Sequence, residues 1–514
     1  MRILYVDIDS LRPDHLGCYG YHRNTSPTID SIAKEGVKFT NFYSTDTPCL
    51  PSRTSLFGGN FGFKTGVVNH GGEFSDIAPR KNIWNREFKG GLRGEYAFTS
   101  LGKVLRDAGY YTASISPFPE RHTAYQVWFG FTETYDTGKG GLENADEVYP
   151  VIKKWLENNG EKENWFLHVN MWDPHTPYDT PEDFGNPFKD DPIEEWVTEE
   201  LIKKQRNSFG PHSAREVPGF DEDLGGKYTM GVGEIKNTSD AKEQIDAYDT
   251  GIKYADFYLN KVFEDLKKMN LWDDTAIIIS ADHGENQGEL NVWGDHQTAD
   301  HITNRVPLII RWPGITDTNK GSTVENKFYN LDLTSTISQI TSSSQPDRWD
   351  GINFTENLTN SKSSNGRDYL VISHGAWSCQ RSVRWDNWLL IRTYDTGLKD
   401  FPKYMLFDIE KDPHELNNLA DQHKDLVAHG MFLIDEWIEE NMYEADRGDP
   451  LQGVIREGGP HHANIYSKVW NTYVERLEKT DRKKHADNLR KYFEENPEIG
   501  KYIFFKFRNT LKKS

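Results

Sequence analysis

The chain has 514 residues, 36% hydrophobic and 13% aromatic, which is enough to bury a core in two or more domains and too apolar for a disordered chain. A net charge of −20 argues against nucleic acid as a partner, and no apolar run reaches the roughly 18 residues of a membrane-spanning helix. Three cysteines, Cys18, Cys49 and Cys379, provide no disulfide framework.

Met1-Arg2 leads straight into Ile3–Val6, a first strand that leaves no room for a signal peptide, so a cytoplasmic location is expected. Asp7 and Asp9 follow that run. Ser100–Ala108 reads as a helix. Trp165–Met171 is a strand-length apolar run leading to Asp173-Pro174-His175. Ala241–Leu271 carries apolar residues near 3.6 spacing and predicts a long helix. Ala276–Ile279 leads to Asp282-His283, and Val306–Arg311 follows a histidine-rich loop. Near-continuous apolar strands suit a parallel sheet covered on both faces, and their alternation with helices predicts a doubly wound α/β domain. In such sheets ligands bind beyond the carboxyl ends of the strands, where these polar clusters fall.

After about residue 370 the pattern changes. Tyr369–Ser373, Ser382–Trp385, Trp388–Thr393 and Tyr404–Asp408 are short strands between turn residues and predict a small antiparallel sheet, and Ala420–Met442 reads as a helix. The expected division is therefore a catalytic domain over 1–370, a sheet-plus-helix subdomain over 371–445, and a basic, partly helical extension over 446–514. Residues 468–514 hold 13 Lys and Arg against 7 Asp and Glu, read as a solvated helical face. The extension, including Gly458-Gly459-Pro460-His461-His462, is expected to pack rather than to wall a pocket.

The segment Cys49-Leu50-Pro51-Ser52-Arg53, followed by Thr54-Ser55-Leu56-Phe57-Gly58-Gly59, carries the most information. The pattern C-x-P-S-R resembles the signature at which sulfatases convert a cysteine to formylglycine. Pro51 favours a first helical turn, setting residue 49 at a helix N-terminus where amides attract an anion, with Arg53 one turn on. Other segments are similar to the sulfatase branch of the alkaline phosphatase superfamily, in the family's order. They are Asp9-Ser10-Leu11-Arg12-Pro13-Asp14, Gly109-Tyr110-Tyr111-Thr112-Ala113, Ser280-Ala281-Asp282-His283-Gly284-Glu285, Arg305-Val306-Pro307-Leu308-Ile309-Ile310, and Leu406-Phe407-Asp408 with Asp412-Pro413-His414-Glu415-Leu416. The resemblance implies an alkaline-phosphatase-like α/β fold with a smaller C-terminal antiparallel sheet.

It also implies a chemistry. One hydroxyl of the hydrated aldehyde attacks sulfur, and the other expels sulfate by collapse to the aldehyde. Asp9, Asp282, His283 and converted Cys49 would bind a divalent cation, usually Ca²⁺. Asp7 lies on the same side as Asp9 if the strand pleat continues. Oxygen-rich ligands favour Ca²⁺ or Mg²⁺, and the histidine leaves Mn²⁺ or Zn²⁺ open. Arg53 would support the nucleophile, and His175 would contact the sulfate or leaving group. His175 and His296 are the acid–base candidates, with His122 a third; Asn69 and His70 are candidate substrate contacts.

The sequence departs from the family at three places. Ser10 stands where many relatives have a second aspartate. Ile115-Ser116-Pro117-Phe118-Pro119-Glu120-Arg121-His122 replaces a G-K-W-H, and Asp295 replaces the lysine of W-G-K-H. Arg121, His122, His296 or Arg305 must then do the work of the two missing lysines. The expected partners are a sulfated sugar or oligosaccharide and a formylglycine-generating maturation enzyme, with neither nucleic acid nor membrane. One alternative is a phosphonate monoester hydrolase or phosphodiesterase of the same superfamily. Another is a non-catalytic saccharide-binding relative with unconverted Cys49.

Overall fold

The structure is a computed structural model that describes residues 1–77, 94–219, 232–445, 447–466 and 470–495. The far end of the expected extension, 496–514, lies outside the described residues. The first strand, β1 (Arg2–Ile8), is buried along nearly its whole length, as its unbroken apolar run requires. The remaining strands are β2 (Val37–Tyr43), β3 (Asp46–Thr47), β4 (Tyr111–Ile115), β5 (Glu133–Tyr135), β6 (Trp165–Met171), β7 (Thr275–Ser280), β8 (Asn286–Gln287), β9 (Trp293–Asp295), β10 (Leu308–Arg311), β11 (Ser322–Tyr329), β12 (Tyr369–His374), β13 (Cys379–Trp385), β14 (Trp388–Asp395) and β15 (Tyr404–Asp408).

Eight of them form one sheet in the order β11-β2-β10-β7-β1-β6-β4-β5. All its pairings are parallel except those of β10, which runs against both β2 and β7. The expected mostly parallel sheet is present, and β10 is its one reversed strand. Helix 238–268 packs on helices 27–35 and 145–159, and helices 49–58, 101–107 and 330–340 form a second group. Their apolar faces and the sheet share one hydrophobic core. The long helix begins at Thr238, where the Asn237 side chain caps the Asp240 amide at 3.0 Å, and it ends at Lys268.

The second sheet, in the order β15-β14-β13-β12-β3, is antiparallel except at one edge. There β3, drawn from the N-terminal part of the chain, pairs parallel with β12, Asp46 opposite Ser373 and Thr47 opposite His374. This sheet is therefore not assembled from residues beyond 370 alone. Helix 424–442 covers it, with Trp437 packed edge-on against Phe61 and Phe63.

The extension is tied down at two places. Arg381 in β13 grips Asp449 with a pair of hydrogen bonds of 2.9 and 2.8 Å. Helices 470–479 and 483–495 bury Tyr473, Val474, Leu477, Ala486 and Leu489 against Phe209, Trp377 and Leu398.

Candidate active site

Four neighbouring parallel strands deliver their carboxyl ends to one place. Asp9 follows β1, Asp282 follows β7, His175 follows β6, and the loop after β4 carries Arg121 and His122. Strand β2 runs on through β3 into the helix Cys49–Gly58, which starts at Cys49 itself, and every residue of that helix is buried. Ser52 Oγ donates to the Asp282 carbonyl at 2.7 Å, and Ser44 reaches the same oxygen, so the helix start is fastened to the loop after β7.

Arg53 is fully buried and meets three carboxylates. Its Nε donates to Asp7 Oδ2 at 2.7 Å, and its Nη1 lies 2.7 Å from Asp282 Oδ2 and 2.9 Å from Asp9 Oδ2. Asp7 and Asp9 therefore do face one centre. Where relatives carry a second aspartate, Ser10 adopts a φ of 58°, its Oγ bonds Asp9 Oδ1 at 2.9 Å and its amide donates to Asp282 Oδ1 at 3.2 Å.

Cys49 is 1% exposed. Its Sγ marks where the hydrate oxygens would stand after conversion. It falls within 4.8 Å of ligand atoms of both Asp282 and His283, and in a second group of the same span with His70 and His122. The His70 and His122 Nε2 atoms lie 3.5 and 3.7 Å from the sulfur. His283 packs on His296 with ring centroids 4.0 Å apart, and His296 meets His175 edge-on at 5.8 Å. His296 Nδ1 is paired with Glu285 at 3.1 Å, and Glu285 also accepts from Tyr178 at 2.5 Å. Arg121 lies over Trp172 at 4.9 Å, and Trp172 lies against His175 with ring centroids 4.6 Å apart and planes tilted by 30°.

The electrostatics follow from burial. Burial, with the Asp9 and Asp282 carboxylates, pushes the Cys49 thiol well above its ordinary value. Burial and the carboxylates of Asp9 and Asp7 push Asp282 up against the pull of Arg53. Burial pushes Asp9 up, but Arg53 with His175, His283 and the Ser10 hydroxyl together outweigh it and hold it below the usual range. Burial and Arg121 bring His122 down to about 3. Burial lowers His296 too, but Asp295 and Glu285 prevail and raise it to about 9.

The donor set fits a divalent cation. Asp7 Oδ1 is buried without a hydrogen-bond partner among the described residues, Asp9 Oδ2 meets only the charge of Arg53 at 2.9 Å without a hydrogen bond, and His283 Nε2 lies 3.3 Å from Asp282 Oδ2. One guanidinium faces three carboxylates, so the centre carries negative charge that a cation would offset.

Two expectations are corrected. Arg305 lies apart: its Nε donates to the Thr40 carbonyl at 2.8 Å and its backbone bridges to Tyr43, with no described contact to the Cys49 group. It ends the helix His301–Asn304, three residues before β10 begins at Leu308. The extension does more than pack, because His462 Nε2 stands 3.0 Å from His70 Nδ1. Asn69 is buried, its Oδ1 accepting from the amides of His70 at 2.9 Å and His461 at 3.2 Å. Sequence reasoning also missed Glu285 as the partner of His296, and His168, which lies 3.5 Å from Asp7.

A family model described as Sulfatase matches residues 2–343, and one described as N-sulphoglucosamine sulphohydrolase, C-terminal, matches 288–432. The choline-sulfatase of Rhizobium meliloti (strain 1021) is 25% identical over 444 residues, 77% of this chain and 78% of that protein. The N-acetylglucosamine-6-O-sulfatase of Bacteroides thetaiotaomicron is 22% identical over 529 residues, 89% of each. A solved structure of a protein in complex with its substrate D-glucosamine-2-N,6-O-disulfate superposes with a TM-score of 0.67 at 18% identity, covering 87% of this chain and 99% of that one. The phosphonate monoester hydrolase of Agrobacterium radiobacter superposes with a TM-score of 0.64 at 19% identity, covering 86% and 96%. At these identities the superpositions speak to the fold, a large mostly parallel sheet beside a smaller antiparallel one.

Proposed function

The chain belongs to the sulfatase family and is a sulfuric ester hydrolase, and from that premise we propose that it releases sulfate from a sulfated sugar or short oligosaccharide through residue 49. The observation that carries the reading is the placement of Cys49 at the first residue of a buried helix, within 4.8 Å of ligand atoms of both Asp282 and His283. Formylglycine, once formed there, supplies a hydrated aldehyde whose hydroxyl attacks sulfur. Asp9, Asp282 and His283, with residue 49, would hold a divalent cation, for which Ca²⁺ suits the oxygen-rich set, and it would draw charge from the sulfate oxygens.

The chain's own residues do the rest. Arg53 holds the three carboxylates in register and leaves its Nη2 without a hydrogen-bond partner among the described residues. The first amides of the helix at 49 favour an anion. His296, oriented by Glu285 through Nδ1, stands between His283 and His175 and is the proton donor we assign to the leaving oxygen, with His175 beside it. His122, with Nε2 3.7 Å from Cys49 Sγ, and Arg121 beside it are the groups we assign to the work of the missing lysines. The sugar preference draws on proteins named for amino-sugar sulfates among those this chain is similar to.

Structural neighbours named as phosphonate monoester hydrolases support a second reading, in which the same centre cleaves phosphorus esters. Turnover of matched aryl sulfate, phosphate diester and phosphonate esters separates the two. Preference for either phosphorus ester overturns the sulfate reading. Sulfate release from glucosamine sulfates but not from choline sulfate is the expected specificity.

A further inference from the structure

Both nitrogens of the His70 ring are engaged. Nε2 lies 3.5 Å from Cys49 Sγ, and Nδ1 lies 3.0 Å from Nε2 of His462. His462 is 392 residues further along the chain, past residue 432 where both family-model matches have ended. Its ring lies on Trp377 with centroids 4.5 Å apart and planes 21° from parallel. Its amide donates to the Ala376 carbonyl at 3.0 Å. The ring is clamped on one face and at its backbone.

The chain around this contact is shaped to it. Asn69 Oδ1 ties the His70 amide to the His461 amide. Glu457 accepts from the Glu73 amide at 2.8 Å. A Cβ on Gly71 would run into the His461 ring, and one on Gly453 into the Phe74 ring, so the two segments approach as closely as glycine allows. The loop carrying His70 and the segment carrying His462 interlock.

Two imidazole nitrogens 3.0 Å apart share one hydrogen, so one ring donates and the other accepts. Residue 49 offers hydrogens on its side of His70, as a thiol before conversion and as hydroxyls afterwards. Its complement at His70 Nε2 is a lone pair, which requires the hydrogen to sit on Nδ1. We propose that His462 accepts the Nδ1 hydrogen of His70 and so turns the His70 Nε2 lone pair toward residue 49, making His462 a positioning residue of the hydrolytic site. The proposal rests on the sulfatase reading and gives the C-terminal extension a part in the chemistry. His70 becomes the acceptor that holds a hydroxyl of residue 49 in place.

The test uses the full chain, co-expressed with a formylglycine-generating enzyme, with the converted fraction of every variant measured by peptide mass. His462→Ala is expected to lower kcat on an aryl sulfate about tenfold while KM stays within about twofold. His462→Gln, whose amide oxygen can accept in place of Nε2, recovers most of the loss. Glu457→Ala, which loosens the same segment without touching His462, stays near the parent rate. Unchanged kcat in His462→Ala, or an equal loss in Glu457→Ala, overturns the proposal. A parent protein that cleaves no sulfate ester defeats the sulfatase reading instead. In that case ¹⁵N shifts of histidine-labelled protein still decide the tautomer: a hydrogen on His70 Nδ1 supports the proposal, and one on Nε2 overturns it.

Discussion

Arg53 and Asp282 meet through Nη1 and Oδ2 at 2.7 Å with neither side chain exposed to water. The same guanidinium also serves Asp7 and Asp9, so one positive charge is shared among three carboxyl groups in a site without solvent. Breaking a buried pair of this kind costs about 3–5 kcal/mol, because the partner is left uncompensated.

Arg53→Met is therefore expected to lower the thermal midpoint strongly. Arg53→Lys, which keeps the charge but cannot fork to three carboxylates, should fold better yet lose roughly 10²–10³-fold in kcat. Thermal unfolding beside aryl sulfate kinetics checks both. Equal kcat in the lysine variant would show that charge alone suffices.

Metal removal follows from the carboxylates of Asp7, Asp9 and Asp282 gathered beside His283, where Asp7 Oδ1 is buried without a hydrogen-bond partner among the described residues. Chelator should lower the midpoint and abolish turnover, and Ca²⁺ at 100-fold over its Kd should return about 2.7 kcal/mol. Asp9→Asn should respond less to added Ca²⁺ than the parent. A midpoint indifferent to chelator and Ca²⁺ would argue against a cation at this centre.

The peptide ending at Arg53 should carry an aldehyde at position 49 after co-expression with a formylglycine-generating enzyme. Cys49→Ala should fold and turn over nothing. A persistent thiol in an active parent protein would remove the nucleophile assigned here.

Lys399 gives a pH prediction away from the metal centre. Burial lowers its amine to about 7, against the pull of Asp295 and Glu216, while its Nζ donates to the Asn291 carbonyl at 2.9 Å. The unfolded chain keeps that proton up to its ordinary value of 10.5, so between these values the unfolded state binds more protons. Stability from this group should therefore rise as pH climbs from about 7, and Lys399→Met should flatten that rise. Midpoints measured from pH 6 to 10 decide it, and identical profiles for parent and variant would refute the assignment.

Asp449 should matter to activity despite lying outside the site. Asp449→Ala leaves Arg381 unpaired in β13 and frees the start of the segment that carries His462. A loss of about 3–5 kcal/mol in stability is expected, with a fall in kcat. Unchanged unfolding would mean the pair contributes nothing.

Strand direction and long-range partners set what could be read from the chain. Asp9 and Asp282 were visible as strand-end carboxylates because β1 and β7 are continuous apolar runs, and parallel pairing puts their ends side by side. Cys49 and Arg53 were visible as a local motif. The same run logic gives no sign of direction, so the reversal of β10 was not legible; that reversal sets Arg305 beside the carboxyl end of β2, where its Nε is taken by the Thr40 carbonyl. Strand β3 is two residues long and has no periodicity to detect. The His70–His462 contact joins residues 392 apart, and nothing local to either announces the other.

The edge strand β3 also sets an order of events. Asp46 and Thr47 find their strand pairing against Ser373 and His374, and Cys49 lies two residues beyond them, 1% exposed once the fold is complete. On the ribosome those partners emerge more than three hundred residues after the thiol, a delay of tens of seconds at roughly 5–20 residues per second. Any enzyme that must touch Cys49 has that interval of nascent, unpaired chain in which to do so. In the finished molecule Cys49 is 1% exposed, so a modifying enzyme has readier access to it before that pairing forms.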